Sequence, residues 1–452
     1  MVLNLIFNTY PVEHKDNYCI DIALMLIYKL LMKKLIEYIK TNNELEPSAV
    51  LSTLNYINEL WPSLTVKPKD VQRDGTLIKV DRSFLAPSVS DGSNFDFSEM
   101  YYWDSYFMCI GFMQQKTHKQ LVVGIIDNLV QMFNKLHVIP NANRTYLSSH
   151  SQPPFMTTFA LQAYEAYGLS LSWLKNVIET SEREYYNVWV NTKKPHWRNV
   201  YKGLSRFYDI NMLNDMAEAE SGWDMTPRFN RLALEFLPVD LNTLLYKYEK
   251  DFAEFYGLVG NQELADLWSE KATKRAHTMH KLMWSKVRSM YFDYNFIKKR
   301  KGLVASLATY YPMWAGMVSQ DVASKLKSKL KVFDYAGGLS ATSAIIKGPR
   351  SSIISRTPTQ WAYPNGWAPL HYLTTEGLEK YGYHDEAKSI ALKWLKTCTD
   401  WYLKHGEIIE KYNVAQPNKL PQEGVYPNQV GFGWTNSIYI YYANKYFLNK
   451  DD

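Results

Sequence analysis

Apolar residues recur at helical spacing along nearly the whole chain. After Asn261, a residue that caps helices well, Leu264, Leu267, Trp268, Ala272, Ala276, Met279 and Met283 fall on one face. A second stripe joins Ala387, Ile390, Ala391, Trp394, Leu395, Cys398 and Trp401, and Gly406 stands where such a helix would end. Further stripes predict helices over 20–40, 48–60, 119–136, 156–168, 240–257, 304–330, 367–381 and 432–447. Two-residue alternation is confined to short pieces such as 289–296. The pattern predicts an all-α chain of about a dozen helices with short connections and no dividing linker. Residues 1–90 read as an N-terminal helical segment packing on a main body over 91–452, the two forming a single domain.

Such helices can assemble as a bundle, a solenoid or a closed double ring. No fixed sequence period marks a solenoid. Trp, Asp, Asn, Gln, Gly and Pro gather between the stripes, where loops at one end of a scaffold converge on a site. Periodicity alone leaves the closure open.

Composition narrows the function classes. The 452 residues carry a net charge of +6, concentrated in Lys193-Lys194-Pro195-His196-Trp197-Arg198 and Lys298-Lys299-Arg300-Lys301. Two short clusters are solvated turns and do not form the continuous basic stripe of a nucleic-acid binder. The stretch 20–39 is interrupted by Asp21, Lys29, Lys33 and Lys34, which fits an amphipathic helix and not a membrane span. The first ten residues show neither a basic leader region nor a small-residue cleavage site. Cys19, Cys109 and Cys398 are odd in number and far apart, so no disulfide framework is implied, and a reducing cytoplasm fits. With 34 Tyr and 14 Trp the chain is rich in aromatics. That suits either the packing of many helices or the recognition of sugars, whose C–H faces and hydroxyl rims match these side chains. The ten His are scattered, and the pair His277 and His280 lacks a third ligand, so no metal and no other cofactor is expected.

Six segments carry the unusual residues: Glu99-Met100-Tyr101-Tyr102-Trp103-Asp104-Ser105-Tyr106, Ile139-Pro140-Asn141-Ala142-Asn143-Arg144, Ser151-Gln152-Pro153-Pro154-Phe155, Glu220-Ser221-Gly222-Trp223-Asp224 with Arg228, Gln360 to Pro369, and Glu410-Lys411-Tyr412 with Gly431-Phe432-Gly433-Trp434-Thr435-Asn436. In order and spacing, from about residue 95 to 445, they resemble the trehalase family of glycoside hydrolases, family 37. Trp-Asp-x-Tyr alone is a weak signal. The ordered set, with Ser-Gln-Pro-Pro-Phe and Gly-Phe-Gly-Trp-Thr-Asn, is specific. The resemblance implies an (α/α)6 barrel, with long loops forming the active-site end, that hydrolyses α,α-trehalose to two glucoses with inversion.

Carried over residue by residue, the resemblance makes Asp224 the general acid and Glu410 the general base. The chemistry needs this division. A glycosidic oxygen leaves only when protonated, so one carboxyl must keep its proton near neutral pH. The other activates water on the opposite face of the sugar across a gap of roughly 6.5–9.5 Å. Asp224 also starts an apolar run, as a helix cap would, and Glu410 has Lys411 as a ready salt-bridge partner. Trp103, Asp104, Asn141, Gln152 and Gly222 match positions that hold the inner glucose, while Trp361, Asn365 and Trp367 are implied as pocket wall and Trp434 as packing support.

The departures bear on the substrate. A sugar-binding arginine of the family is replaced by Asp96, a second by His150, and a glutamate by Val425. The Gln-Trp-Asp signature reads Gln360-Trp361-Ala362, and an Arg-Pro-Glu-Ser segment that follows Leu204-Ser205-Arg206-Phe207-Tyr208-Asp209 in the family is missing. His150 retains a donor, and Arg206 and Glu423 are local substitutes. A hydrogen bond to a charged group contributes about 1.5–3 kcal/mol, so such losses can redirect specificity while sparing the acid and base. Trehalose is therefore the leading substrate, with a related small α-glucoside such as glucosylglycerate next and a non-catalytic sugar-binding relative as the alternative of another class. The expected partner is a small carbohydrate, with no nucleic acid or membrane, in a cytoplasmic monomer or simple homo-oligomer.

Overall fold

The computed structural model describes residues 45–69, 75–88, 97–191, 193–194, 197–345, 359–424 and 426–448. The expected helix over 20–40, Cys19, Asp96 and Val425 lie outside the described residues. Among the described residues, twelve of the α-helices in the unit that begins at Pro47 build its rings, and a further short one, Asn214–Ala219, lies in a connection. In chain order the twelve are α1 (Pro47–Leu64), α2 (Tyr102–Gln115), α3 (Lys119–Leu136), α4 (Met156–Tyr167), α5 (Leu171–Glu184), α6 (Val239–Leu258), α7 (Gln262–Met283), α8 (Tyr311–Trp314), α9 (Gln320–Lys327), α10 (Ala368–Lys380), α11 (His384–His405) and α12 (Gly433–Tyr442).

The even-numbered helices form a closed inner ring: α2 packs on α4, α4 on α6, α6 on α8, α8 on α10, α10 on α12, and α12 back on α2. Outside them α3 covers α2, α5 covers α4, α7 covers α6, α11 covers α10 and α1 covers α12. This is the (α/α)6 barrel. The two rings differ in sequence for a physical reason. Every residue of α2 from Tyr102 to Met113 is buried, because a helix flanked on all sides has no solvent face. Outer helices bury one stripe; α11 buries Ala387, Ile390, Ala391, Trp394, Leu395 and Cys398, and Gly406 ends it at φ +77°. Burying each large apolar side chain contributes about 1.5–3 kcal/mol, so the stripe decides which way an outer helix faces.

Most predicted helices stand within two or three residues of their expected ends, and Asn261 caps α7 by accepting the Leu264 N–H at 3.2 Å. The single helix expected over 304–330 is instead two short ones, α8 and α9. The chain turns between them at Gly316, with φ +69°, and restarts where the Ser319 hydroxyl accepts the Val322 N–H. Trp103 and Asp104, placed between helices by the sequence pattern, ride on the first turn of α2, which has no polar face to betray it. The amphipathic helix α5, capped by Ser170, was legible in Leu174, Val177 and Ile178 but not anticipated.

Connection lengths polarise the barrel. Inner-to-outer turns span only three to five residues (116–118, 168–170, 259–261, 315–319 and 381–383). The outer-to-inner connections (65–101, 137–155, 185–238, 284–310, 328–367 and 406–432) are long and share the opposite end. Those connections, with the first turn of α2, hold every residue singled out for chemistry.

Candidate active site

Asp224 sits in the connection that leads into α6. Gly222, at φ +70°, bends the chain there, and a Cβ at this position would lie 2.6 Å from the Trp103 ring, so only glycine lets the loop press on α2. The following residues are pinned from several sides. Arg228 forms bidentate pairs with Asp240 on α6 (2.5 and 2.9 Å) and with Asp293 (3.0 and 2.8 Å), and its guanidinium lies 4.4 Å from the Trp223 ring centroid. Gln360 donates its side-chain N–H to the Asp224 carbonyl at 2.5 Å, and the Trp361 N–H donates to the Met225 carbonyl at 3.0 Å. The backbone that carries the Asp224 carboxyl is therefore fixed, and Asp224 is not the cap of a helix.

Glu410 comes from the opposite side of the same end. It stands at the bend before the strand Lys411–Asn413, which pairs with Asn365–Trp367. Its backbone carbonyl accepts from the Trp434 indole and the Thr435 hydroxyl of α12, both at 3.2 Å. Its carboxylate accepts from Lys411 Nζ at 2.6 Å and from the Tyr426 hydroxyl at 2.9 Å. Glu410 and Lys411 are 1% and 0% exposed, so this is a buried ion pair and not the surface bridge that adjacency in sequence permits.

Electrostatics link the acids. Burial pushes the Asp224 carboxyl up to about 7; the Glu410 charge adds to the rise, opposed by its own backbone N–H and by Lys411. Burial, with the charges of Asp224 and Glu410, raises Asp104 to about 8 against its own N–H and a hydrogen bond from Gln152. Sequence reasoning did not single out Glu218, which burial chiefly raises to about 8, with Asp224 contributing. It is 2% exposed and accepts the Thr226 N–H at 2.8 Å, just beyond Asp224.

The remaining predicted residues surround these carboxyls. Gln152 accepts the Trp103 N–H at 3.0 Å, tying the Ser-Gln-Pro-Pro-Phe segment to α2. Asn141 donates to the Ser151 carbonyl at 3.2 Å and accepts the Tyr102 N–H at 3.2 Å on its own carbonyl. Trp361 and Trp367 stack at 3.7 Å, and Trp103, Trp223 and Trp434 pack around Trp361. These buried indoles form one aromatic floor, and the Asn365 side chain donates to the Gln360 and Gln422 carbonyls at 2.9 and 2.7 Å. Solvent still reaches Tyr101, Asp224 and Tyr426, which are half-buried.

His150 and Arg206 belong to a neighbouring network. The His150 ring lies 3.7 Å from the buried Asp209 carboxylate and 3.1 Å from the Ser149 hydroxyl; burial lowers its pKa, the charges of Glu220 and Asp209 opposing. Glu220 is fully buried, pairs with Arg198, and accepts the N–H groups of Ser151 and Tyr208 at 2.8 and 2.7 Å. It joins the loop carrying Gln152 to the loop carrying Asp224. Arg206 donates to the Trp197 and Leu234 carbonyls at 2.8 and 2.6 Å. Lys411, Tyr426, Gln360 and Glu220 thus organise the site although sequence reasoning gave them no role there; each lies inside a motif segment or a few residues from one, and that proximity was the available signal. Among the described residues no group of three His, Cys, Asp or Glu side chains is arranged to hold a metal ion, and no helix is long and apolar enough to cross a membrane.

The chain resembles known proteins in sequence and in fold. A profile of the Trehalase family matches residues 33–221 and 213–446. The chain is 29% identical, over 416 residues, to the cytosolic neutral trehalase of Kluyveromyces lactis, an alignment covering 76% of this chain and 54% of that protein. It thus spans about half the length of that relative. Among solved structures, the neutral trehalase of Saccharomyces cerevisiae superposes with a TM-score of 0.71 at 28% identity, over 81% of this chain and 74% of that one. A mannosylglycerate hydrolase from Thermus thermophilus shares the fold at 15% identity, with a TM-score of 0.59 over 86% of this chain and all of that one.

Proposed function

The chain belongs to the trehalase family, and from that premise we propose that it is an inverting glycosidase hydrolysing α,α-trehalose to two glucoses, with Asp224 as general acid and Glu410 as general base. The observation that carries the reading is the unequal treatment of two carboxyls at one end of the barrel. Asp224, pushed up to about 7, keeps a proton to give to the glycosidic oxygen as the bond breaks. Glu410, held by an ammonium and a phenol, takes a proton from the water that attacks the anomeric carbon. Attack from the face opposite the leaving group inverts the anomeric centre, so the first products are one α- and one β-glucose. In this reading Asp104 and Gln152, joined to each other, and Asn141 orient hydroxyls of the inner glucose. The named location of the Kluyveromyces lactis relative supports a cytosolic setting for this protein too.

A second reading keeps the reaction and changes the aglycone. Arg206 directs two donors to backbone carbonyls and His150 faces Asp209, while the family's Arg-Pro-Glu-Ser segment is missing. These differences favour a related small α-glucoside.

Glucose release by the purified chain, followed by NMR of the anomers, separates the readings. Trehalose cleavage with β-glucose appearing first supports the main one. Release only from another α-glucoside selects the second. Sugar binding without turnover across the panel would leave a non-catalytic relative and overturn both.

A further inference from the structure

Glu410 and Lys411 are neighbours in sequence, and neighbours within a strand point to opposite faces. Their side chains meet only because Glu410 stands at the bend before the strand and Lys411 is its first residue. Lys411 is then fixed by cross-strand register: it pairs with Trp367, and its Nζ lies 5.1 Å from that ring centroid and 5.4 Å from the centroid of Tyr426. A fully buried ammonium between two aromatic rings, 2.6 Å from a buried carboxylate, has few competing partners. The chain gives up considerable solvation to hold it there.

We propose that Lys411 is the positioning residue of the base: it holds the Glu410 carboxylate charged and fixes one of its oxygens, leaving the Tyr426 hydroxyl to orient the other. The proposal deepens the reading of Glu410 as general base and rests on it. The groups that face Glu410 are Lys411 and Tyr426 in direct contact, with Asp224 and Asp104 within electrostatic reach. Both aspartates feel the Glu410 charge, and Lys411 is the cation in direct contact with that charge. Without it these three neighbouring carboxyls would have no cation in contact, and they would compete for the proton that Asp224 needs.

The test is a 13C NMR titration of the glutamate side-chain carboxyls, with the Glu410 signal assigned by its loss in Glu410→Gln. In Lys411→Met the Glu410 midpoint rises by about one to three pH units, the range for removing an opposite charge in contact, and Lys411→Arg restores most of the wild-type midpoint. The acid limb of kcat/KM moves up with it, since the base is then protonated to higher pH. An unchanged Glu410 midpoint in folded Lys411→Met overturns the proposal. If that variant does not fold, Lys411→Gln, which keeps a donor and loses the charge, is read by the same two outcomes. The NMR midpoint needs no turnover, so an active Glu410→Gln would sink the role of Glu410 as base without deciding the contact with Lys411.

Discussion

The two sides of the recess treat a carboxyl in opposite ways. On the side of Asp224 the protein supplies position through the backbone: Gln360 and Trp361 bind main-chain carbonyls at 224 and 225, and the strong ion pairs are made by Arg228, four residues along. The carboxyl is left to burial and to a neighbouring negative charge, and both favour its protonated form. On the side of Glu410 the protein supplies donors to the carboxylate itself, one of them a cation. The two carboxyls differ in depth, Asp224 being half-buried and Glu410 buried, but depth does not explain the contrast, since the deeper one is the one given charged donors. They differ in whether nearby positive charge is aimed at the carboxyl or at the scaffold that carries it.

The comparison breaks most directly if either carboxyl is neutralised. Asp224→Asn and Glu410→Gln are each expected to lower kcat by about 100- to 10,000-fold, with circular dichroism and melting temperature near wild type. A variant that keeps normal turnover would remove that residue from the mechanism. Arg228→Met tests the claim that the acid side rests on its scaffold. Removing one member of a buried, doubly paired cluster should destabilise the fold by about 3–5 kcal/mol in denaturant titrations, because Asp240 and Asp293 are left as unpaired buried charges. Unchanged stability would mean that the loop is held elsewhere.

Gly222→Ala is the milder test. A methyl group at φ +70°, 2.6 Å from Trp103, forces the loop away from α2, with an expected cost of about 1–3 kcal/mol in stability and a fall in kcat. The smallest effect is in the pH profile. With Asp224 at about 7, the active protonated form is lost as pH rises through that value, so kcat/KM should decline above about pH 7. Glu410→Gln removes the charge that helps hold Asp224 up. The Asp224 midpoint, read by 13C NMR, should therefore fall in that variant, and an unchanged midpoint would show that the Glu410 charge contributes nothing to it.

Much of the scaffold was written in local pattern. Outer helices such as α7 and α11 bury one face and meet solvent with the other, so their stripes, the Asn261 cap and the Gly406 terminator are visible in the chain itself. The motif segments singled out Asp224, Glu410 and most of their neighbours through their resemblance to a family, a signal carried by residue identity and order and not by periodicity. Tertiary structure decided the rest. Helix α2 is buried all round and has no stripe to read, so only the closed ring shows that Trp103 and Asp104 lie on a helix. The raised pKa of Asp224 comes chiefly from burial in the folded chain, with a carboxylate from the far end of the sequence adding to it, and the partnership of Glu410 with Lys411 comes from a bend and a strand register. Helical periodicity is a property of neighbouring residues along the backbone; a shifted pKa is a property of whatever the folded chain places within a few ångströms.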